Sequence, residues 1–204
     1  MVEISRELLI ATHNPGKINE LRGFLAGSRY QLLGLDDFPD VAEIDETGLT
    51  FAENATLKAI GYARQTGHMA LADDSGLEVE ALDGRPGVLS ARYGGPDTRF
   101  AEKMAILLAE MYETEASTRR ARFVCSIAVA SPEGDILSIS EGVCTGMIAD
   151  SPRGSGGFGY DPLFIPDGFD QTFGELPEAI KQTISHRFRA FEEIIPFLRR
   201  FKAV

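Results

Sequence analysis

Apolar residues along this chain fall into short continuous runs and into sets repeated at helical spacing. The run Leu8, Leu9, Ile10 and Ala11 predicts a strand over residues 7–12, buried on both faces. Pro15 suits a first helical turn, and Ile18, Leu21, Phe24 and Leu25 recur at helical spacing, so residues 15–25 read as a helix that Asn14 can cap. Residues 31–35 read as a second strand, and the acid-rich stretch 36–46 as a loop too charged to be core, closed by Gly48. Thr50 followed three residues later by Glu53 is a capping box; it opens a helix to about Thr66 whose packed face carries Phe51, Ala55, Ala59, Tyr62 and Ala63. Residues 68–73 read as a third strand ending in the pair Asp73-Asp74, with a short segment at 77–79 pairing beside it. Residues 83–95 are rich in glycine and proline, and 100–111 have helical apolar spacing. The longest strand candidates, 122–130 and 136–148, flank Ser131-Pro132-Glu133-Gly134-Asp135, which is turn chemistry for an antiparallel hairpin. After a glycine-dense stretch at 153–161, a final helix over 185–201 aligns Phe188, Phe191, Ile194, Ile195 and Leu198, with Pro196 expected to kink or divide it. The order of elements implies a mixed α/β fold, with a mixed central sheet, a long antiparallel hairpin and flanking helices, and argues against a purely parallel doubly wound sheet.

Composition narrows the partners more than the fold. With 204 residues, 44% of them hydrophobic, the chain can bury a full core as a single domain over 1–204, or as two lobes sharing one sheet. A net charge of −11 disfavours a sequence-independent grip on nucleic acid, which relies on lysine and arginine displacing counterions. Any anionic ligand must therefore be held locally, and the surplus of carboxylates suits a hard divalent cation. Two cysteines, Cys125 and Cys144, lie in apolar strand-like stretches without metal-ligand spacing and read as core. Residues 1–7 show no basic region followed by a long apolar core, and no uncharged run reaches membrane-spanning length; the expectation is a soluble cytoplasmic protein with no membrane partner.

Four segments could carry chemistry. The turn Thr12-His13-Asn14-Pro15-Gly16-Lys17 joins a strand to a helix, where backbone N–H groups and the helix dipole favour an anion and Lys17 adds a charge. It lacks the glycine spacing and Lys-Ser/Thr ending of a Walker loop, so it reads equally as a plain capped turn. Asp73 and Asp74 point to opposite faces if their strand is unbroken, so one of them is expected as a metal ligand, against a reading as a self-capping Asp/Ser/Gly turn. The loop ending in Phe158-Gly159-Tyr160-Asp161 could bring backbone and an aromatic ring against a base or phosphate, or could be a glycine-rich connection. Ser185-His186-Arg187 with Lys181 could converge on one anion, or could be a solvated helix end.

Taken together these segments resemble the inosine/xanthosine triphosphate pyrophosphatases, also called dITP/XTP pyrophosphatases. The resemblance runs from Leu9 to about Arg189 and rests on separate motifs in order: Ala11 to Lys17, Glu46-Thr47-Gly48, Phe51-Ala52-Glu53-Asn54-Ala55-Thr56-Leu57-Lys58, Ala72-Asp73-Asp74-Ser75-Gly76-Leu77, Pro86-Gly87 with Ser90-Ala91-Arg92-Tyr93, Gly156-Gly157-Phe158-Gly159-Tyr160-Asp161-Pro162, and Ser185-His186-Arg187. It implies two lobes with a nucleotide cleft between them and Mg²⁺ bound by Glu46 and Asp74, with Asp74 also the catalytic base that activates water. Thr12, His13, Asn14, Pro15, Gly16, Lys17, Lys58 and Ser75 then match positions that hold the triphosphate. Phe158, Gly159, Tyr160, Asp161, Lys181, His186 and Arg187 match those around the base and its 6-oxo group. The reaction implied is attack between the α and β phosphates of ITP, dITP or XTP, giving the monophosphate and pyrophosphate, in a homodimer.

The chemistry agrees with that assignment. A triphosphate must be neutralised before water attacks it, and donors aimed at a 6-oxo acceptor reject an adenine amino group. The chain departs from the family pattern at His13, at Phe188 after the Ser-His-Arg triplet, and between Gly174 and Lys181, where a Thr-Pro-Glu-Glu run is missing. Rival readings are a pyrophosphatase for modified pyrimidine or methylated nucleotides, which a substrate panel separates, and a non-enzymatic nucleotide sensor, which has no need of an acid pair set for metal and water.

Overall fold

The structure, a computed structural model, describes residues 6–114 and 118–200. The leader reading of residues 1–5 and the helix end at Phe201 lie outside the described residues. Strand β1 (Arg6–Ile10) leads into helix α1 (Pro15–Phe24), whose cap is Asn14 as expected, and then into β2 (Tyr30–Gly34). Helix α2 (Phe51–Thr66) starts at the Thr50 capping box, in which Thr50 Oγ1 accepts from Glu53 N and Glu53 Oε2 accepts from Thr50 N. It ends where Gly67 takes a left-handed φ of 70°. Helix α3 (Phe100–Glu113) and the strand pair β4 (Arg120–Ala130) and β5 (Ile136–Ile148) follow as the periodicity predicts.

Three expectations need correction. The third strand does not stop at the acidic pair: β3 (Ala70–Val79) runs through Asp73, Asp74 and Ser75 and absorbs the separate 77–79 segment. A strand continues through charged residues when each finds a partner on its own face, and these do, as described below. Pro196 does not divide the last helix, α5 (His186–Arg200). Both Pro196 and Glu192, whose carbonyl loses its amide partner, are exposed, so water can satisfy that carbonyl. Periodicity also passed over β6 (Phe164–Pro166) and α4 (Glu178–Ile184), three and seven residues long, which are too short to show a period.

The sheet order is β2-β1-β3-β4-β5-β6. Strand β1 pairs in parallel with β2, from Arg6 opposite Tyr30 to Ile10 opposite Gly34, and with β3 at Leu9 opposite Ala70; β5 pairs antiparallel with β6. The five-residue turn between β4 and β5 closes with Gly134 N donating to Ser131 O, and a connection that short requires an antiparallel pair. The mixed α/β class is therefore as expected.

The chain divides into two units, one formed by residues 1–74, 126–141 and 190–204 and the other by 75–125 and 142–189. Within the first, small side chains dominate the core: Ala55, Ala59 and Ala63 of α2 pack with Ala70, Ala72, Ala128 and Ala130 of the strands. Side chains that small let a helix approach a sheet closely. Within the second, the core is aromatic, with Phe123 and Phe164 ring centroids 4.7 Å apart and Phe164 and Phe173 5.4 Å apart. Both cysteines are buried, as expected. No helix among the described residues is long and apolar enough to cross a membrane.

Candidate active site

In the first unit, strand alternation separates the acidic pair. Asp73, fully buried, meets Lys17 of α1, with Nζ 3.1 Å from Oδ2. Asp74 meets α2 instead: Lys58 Nζ lies 3.2 Å from its Oδ1, and Asn54 Nδ2 donates to its Oδ2 at 3.1 Å. Asn54 and Lys58 stand four residues apart, one turn of α2, so both reach the same carboxylate. Lys58 also donates to Glu46 Oε1 at 2.6 Å, so one ammonium bridges the two acids that the resemblance implies as metal ligands. Around it the turn is capped in the ordinary way: Asn14 Oδ1 accepts from Gly16 N and Lys17 N, and Thr12 Oγ1 accepts from Asn14 N. Pro15 opens α1 and His13 is exposed. With those amides taken by Asn14, the charge this turn offers an anion is that of Lys17.

Burial pushes the Asp74 carboxyl up from the ordinary carboxylate range, and Lys58 and Lys17 oppose the shift without cancelling it. Burial alone would lower Lys58, but the Asp74, Asp73 and Glu46 carboxylates outweigh it and raise the ammonium further. The cluster holds three carboxylates and two ammoniums, a surplus of negative charge in a largely buried setting. Glu46 and Asp74 already converge on one cation through hard oxygen atoms, which is the donor chemistry Mg²⁺ takes. Such an ion is commonly held by one or two carboxylates and completed by waters and substrate phosphates. Among the described residues no group of three or more His, Cys, Asp and Glu side chains forms a metal cage, so the fit is to that open type.

In the second unit, Arg187 is only 1% exposed and donates to Ser75 Oγ at 2.7 Å, with its guanidinium 5.6 Å from the centre of the Phe158 ring. Lys181 donates to Asp161 Oδ2 at 2.7 Å in a buried ion pair, and its ammonium lies 4.5 Å from the Phe158 ring centre. Asp161 also accepts from Phe158 N at 2.7 Å, which folds the loop so that Phe158 meets both cations; Gly159 in that loop takes a φ of 66°. His186 is buried with its ring stacked on Phe123, centroids 4.7 Å apart and planes at 13°. Ser185 Oγ accepts from Phe188 N, so the Ser-His-Arg triplet caps the start of α5 and presents its last two members in fixed rotations.

Glu46, Lys58 and Asp74 are thus brought together, as are Ser75 with Arg187 and Phe158 with Asp161, Lys181 and Arg187. Ser75, which follows Asp74 in the chain, accepts from Arg187, a residue the resemblance groups with the base and not with the triphosphate. Tyr160 turns inward, its hydroxyl donating to Ser90 O at 3.1 Å. Sequence reasoning assigns Asn54 no role, since asparagine inside a helix reads as a poor helix former; its signals are its place within the Phe51 to Lys58 motif and four residues before Lys58.

The model of a protein family described as the Ham1 family matches residues 8–197. Among curated proteins, a dITP/XTP pyrophosphatase of Exiguobacterium sp. is 48% identical over 95% of this chain and 99% of its own length. One of Geobacter sulfurreducens is 50% identical over 90% of this chain and 92% of its own. Among solved structures, a HAM1 protein from Coxiella burnetii is similar at a TM-score of 0.89 and 40% identity, covering 96% of this chain and 100% of that one.

Proposed function

The chain belongs to the Ham1 family, and on that premise we propose that it hydrolyses the non-canonical purine nucleoside triphosphates dITP, ITP and XTP to the monophosphate and pyrophosphate. The observation that carries this reading is Lys58 bridging Glu46 and Asp74, with Lys17 on the neighbouring acid: a surplus of carboxylate set among lysines serves a metal-bound polyanion. When bound to Glu46 and Asp74, Mg²⁺ would draw negative charge from the phosphates. Lys17 and Lys58 add positive charge against the same phosphate oxygens. Asp74, held by Lys58 and Asn54, orients a water and takes its proton as the oxygen attacks between the α and β phosphates; the bridging P–O bond breaks and pyrophosphate leaves. Arg187 and Lys181 are buried donors beside an aromatic face, suited to a base whose 6-position accepts hydrogen bonds. An adenine amino group there would leave a buried donor without an acceptor. A homodimer belongs to the same reading and rests on the resemblance alone.

The test is a substrate panel at saturating Mg²⁺, with pyrophosphate release as the readout. dITP and XTP should be cleaved about 5- to 150-fold faster than ATP for each unmatched buried donor, which costs about 1–3 kcal/mol. Equal rates on dUTP, methylated nucleotides or ATP would refute the reading, and loss of all turnover in excess EDTA is the expected mark of the metal.

A further inference from the structure

We propose that Asn54 is a positioning residue that locks Asp74 and the Glu46 loop into one frame. This inference rests on the functional reading above. Helix α2 has a second face, apart from its alanine face: Asn54, Lys58, Gly61 and Gln65 follow one another at intervals of four, three and four residues and so line one side. Each holds one residue of the preceding loop. Gln65 exchanges two hydrogen bonds with the Ala42 backbone, at 2.8 and 3.0 Å. Gly61 leaves room for Ile44, whose side chain occupies the space a Cβ there would need. Lys58 takes Glu46 and Asn54 takes Gly48, whose N–H donates to Oδ1 at 2.7 Å. The loop residues held are 42, 44, 46 and 48.

Asn54 and Lys58 both reach Asp74 as well as the loop, but Asn54 alone does so with a fixed acceptor end and a fixed donor end. The Gly48 N–H needs an acceptor, which fixes Oδ1 toward the loop and Nδ2 toward Asp74. The side chain is fully buried, so neither end has water as a substitute. Asp74 then has one donor per oxygen, Lys58 on Oδ1 and Asn54 on Oδ2, which fixes the carboxylate plane. The next turn is tied as well, with Leu49 N and Thr50 N both donating to Glu53 Oε2. Gly48 is fitted to the same contact: a Cβ there would lie 2.7 Å from Asn54 Oδ1 and 2.6 Å from the Glu53 Cβ. Asn54 thereby connects the strand bearing one acid to the loop bearing the other.

The experiment uses Asn54→Leu and Gly48→Ala in the full chain, read in two ways: kcat and KM for dITP with Mg²⁺, and Mn²⁺ binding without nucleotide by electron paramagnetic resonance. Residues that orient metal ligands typically matter by about 10- to 100-fold. Asn54→Leu should lower kcat and Mn²⁺ affinity each by about that factor while changing the nucleotide KM by less than about 3-fold, and Gly48→Ala should shift both the same way by less. A lowered melting point with kcat and Mn²⁺ affinity unchanged below it would make Asn54 merely structural and overturn the proposal. If Asn54→Leu does not fold, an unchanged Mn²⁺ affinity in Gly48→Ala overturns it instead. A wild-type protein that binds Mn²⁺ but cleaves no dITP defeats the functional reading and leaves the affinity shift to decide this one; if it binds none, the split between kcat and KM decides.

Discussion

The two units solve different electrostatic problems with similar residue types. In the first, lysines outnumbered by carboxylates lie largely buried beside an alanine-lined core, and Lys58 is shared between two acids. In the second, Lys181 has a carboxylate close to itself, with both side chains at most 5% exposed, and Arg187 rests against a serine hydroxyl and an aromatic ring. A charge shared among several partners can regroup around a metal and phosphates without losing all of them at once. A fully buried pair cannot, because parting it strands a charge in a low dielectric. The first cluster is therefore suited to chemistry in which charge moves, and the second to holding its donors still.

The largest expected effect tests the first half of that contrast. Asp74→Asn keeps the size of the side chain but removes the base, and turnover on every triphosphate should fall by about 10²- to 10⁴-fold with the selectivity ratio unchanged. Steady-state rates on dITP and ATP, with circular dichroism to confirm the fold, read this out; near-normal turnover would remove Asp74 from catalysis. Next, Lys181→Met leaves Asp161 buried without its cation, and the protein should lose about 3–5 kcal/mol of stability by urea denaturation. A loss below 1 kcal/mol would show that the second unit's pair is no more rigid than the first unit's. The smallest effect sharpens the division of labour. Arg187→Ala should cut the preference for ITP over ATP by about 10- to 100-fold and reduce the ITP rate by less, and an unaltered preference would take Arg187 out of base recognition.

The sequence carried the fold class well because its longer elements have strong local signals. Thr50 and Glu53 mark the start of α2 in four residues, and Pro132-Glu133-Gly134 marks the hairpin. Where the reading failed, local rules met a tertiary partner. A run of Asp, Asp and Ser ends a strand on propensity, yet β3 continues because Lys17 takes one acid and Lys58 with Asn54 takes the other. Proline breaks a helix on propensity, yet α5 continues because the freed carbonyl lies on an exposed side. Its charge makes the acidic loop at 36–46 too polar to be core, and its acids are mostly exposed, but Phe38, Val41 and Ile44 pack onto the core.

The site divides along the same line. Which residue types stand at which positions, the capped turn before Lys17, the acids at 46 and 74 and the Ser-His-Arg triplet, is a property of the chain, and motif spacing alone led to the family. Which of them touch was decided only by the tertiary structure. Glu46, Asn54, Lys58 and Asp74 lie on a loop, a helix and a strand, and their convergence depends on the alanine face that lets α2 approach the sheet and on the helix side that takes up the loop. Local sequence sets backbone preferences over a few residues. The direction and pairing of a buried charge depend on residues distant in sequence, whose positions are known only once the chain has folded.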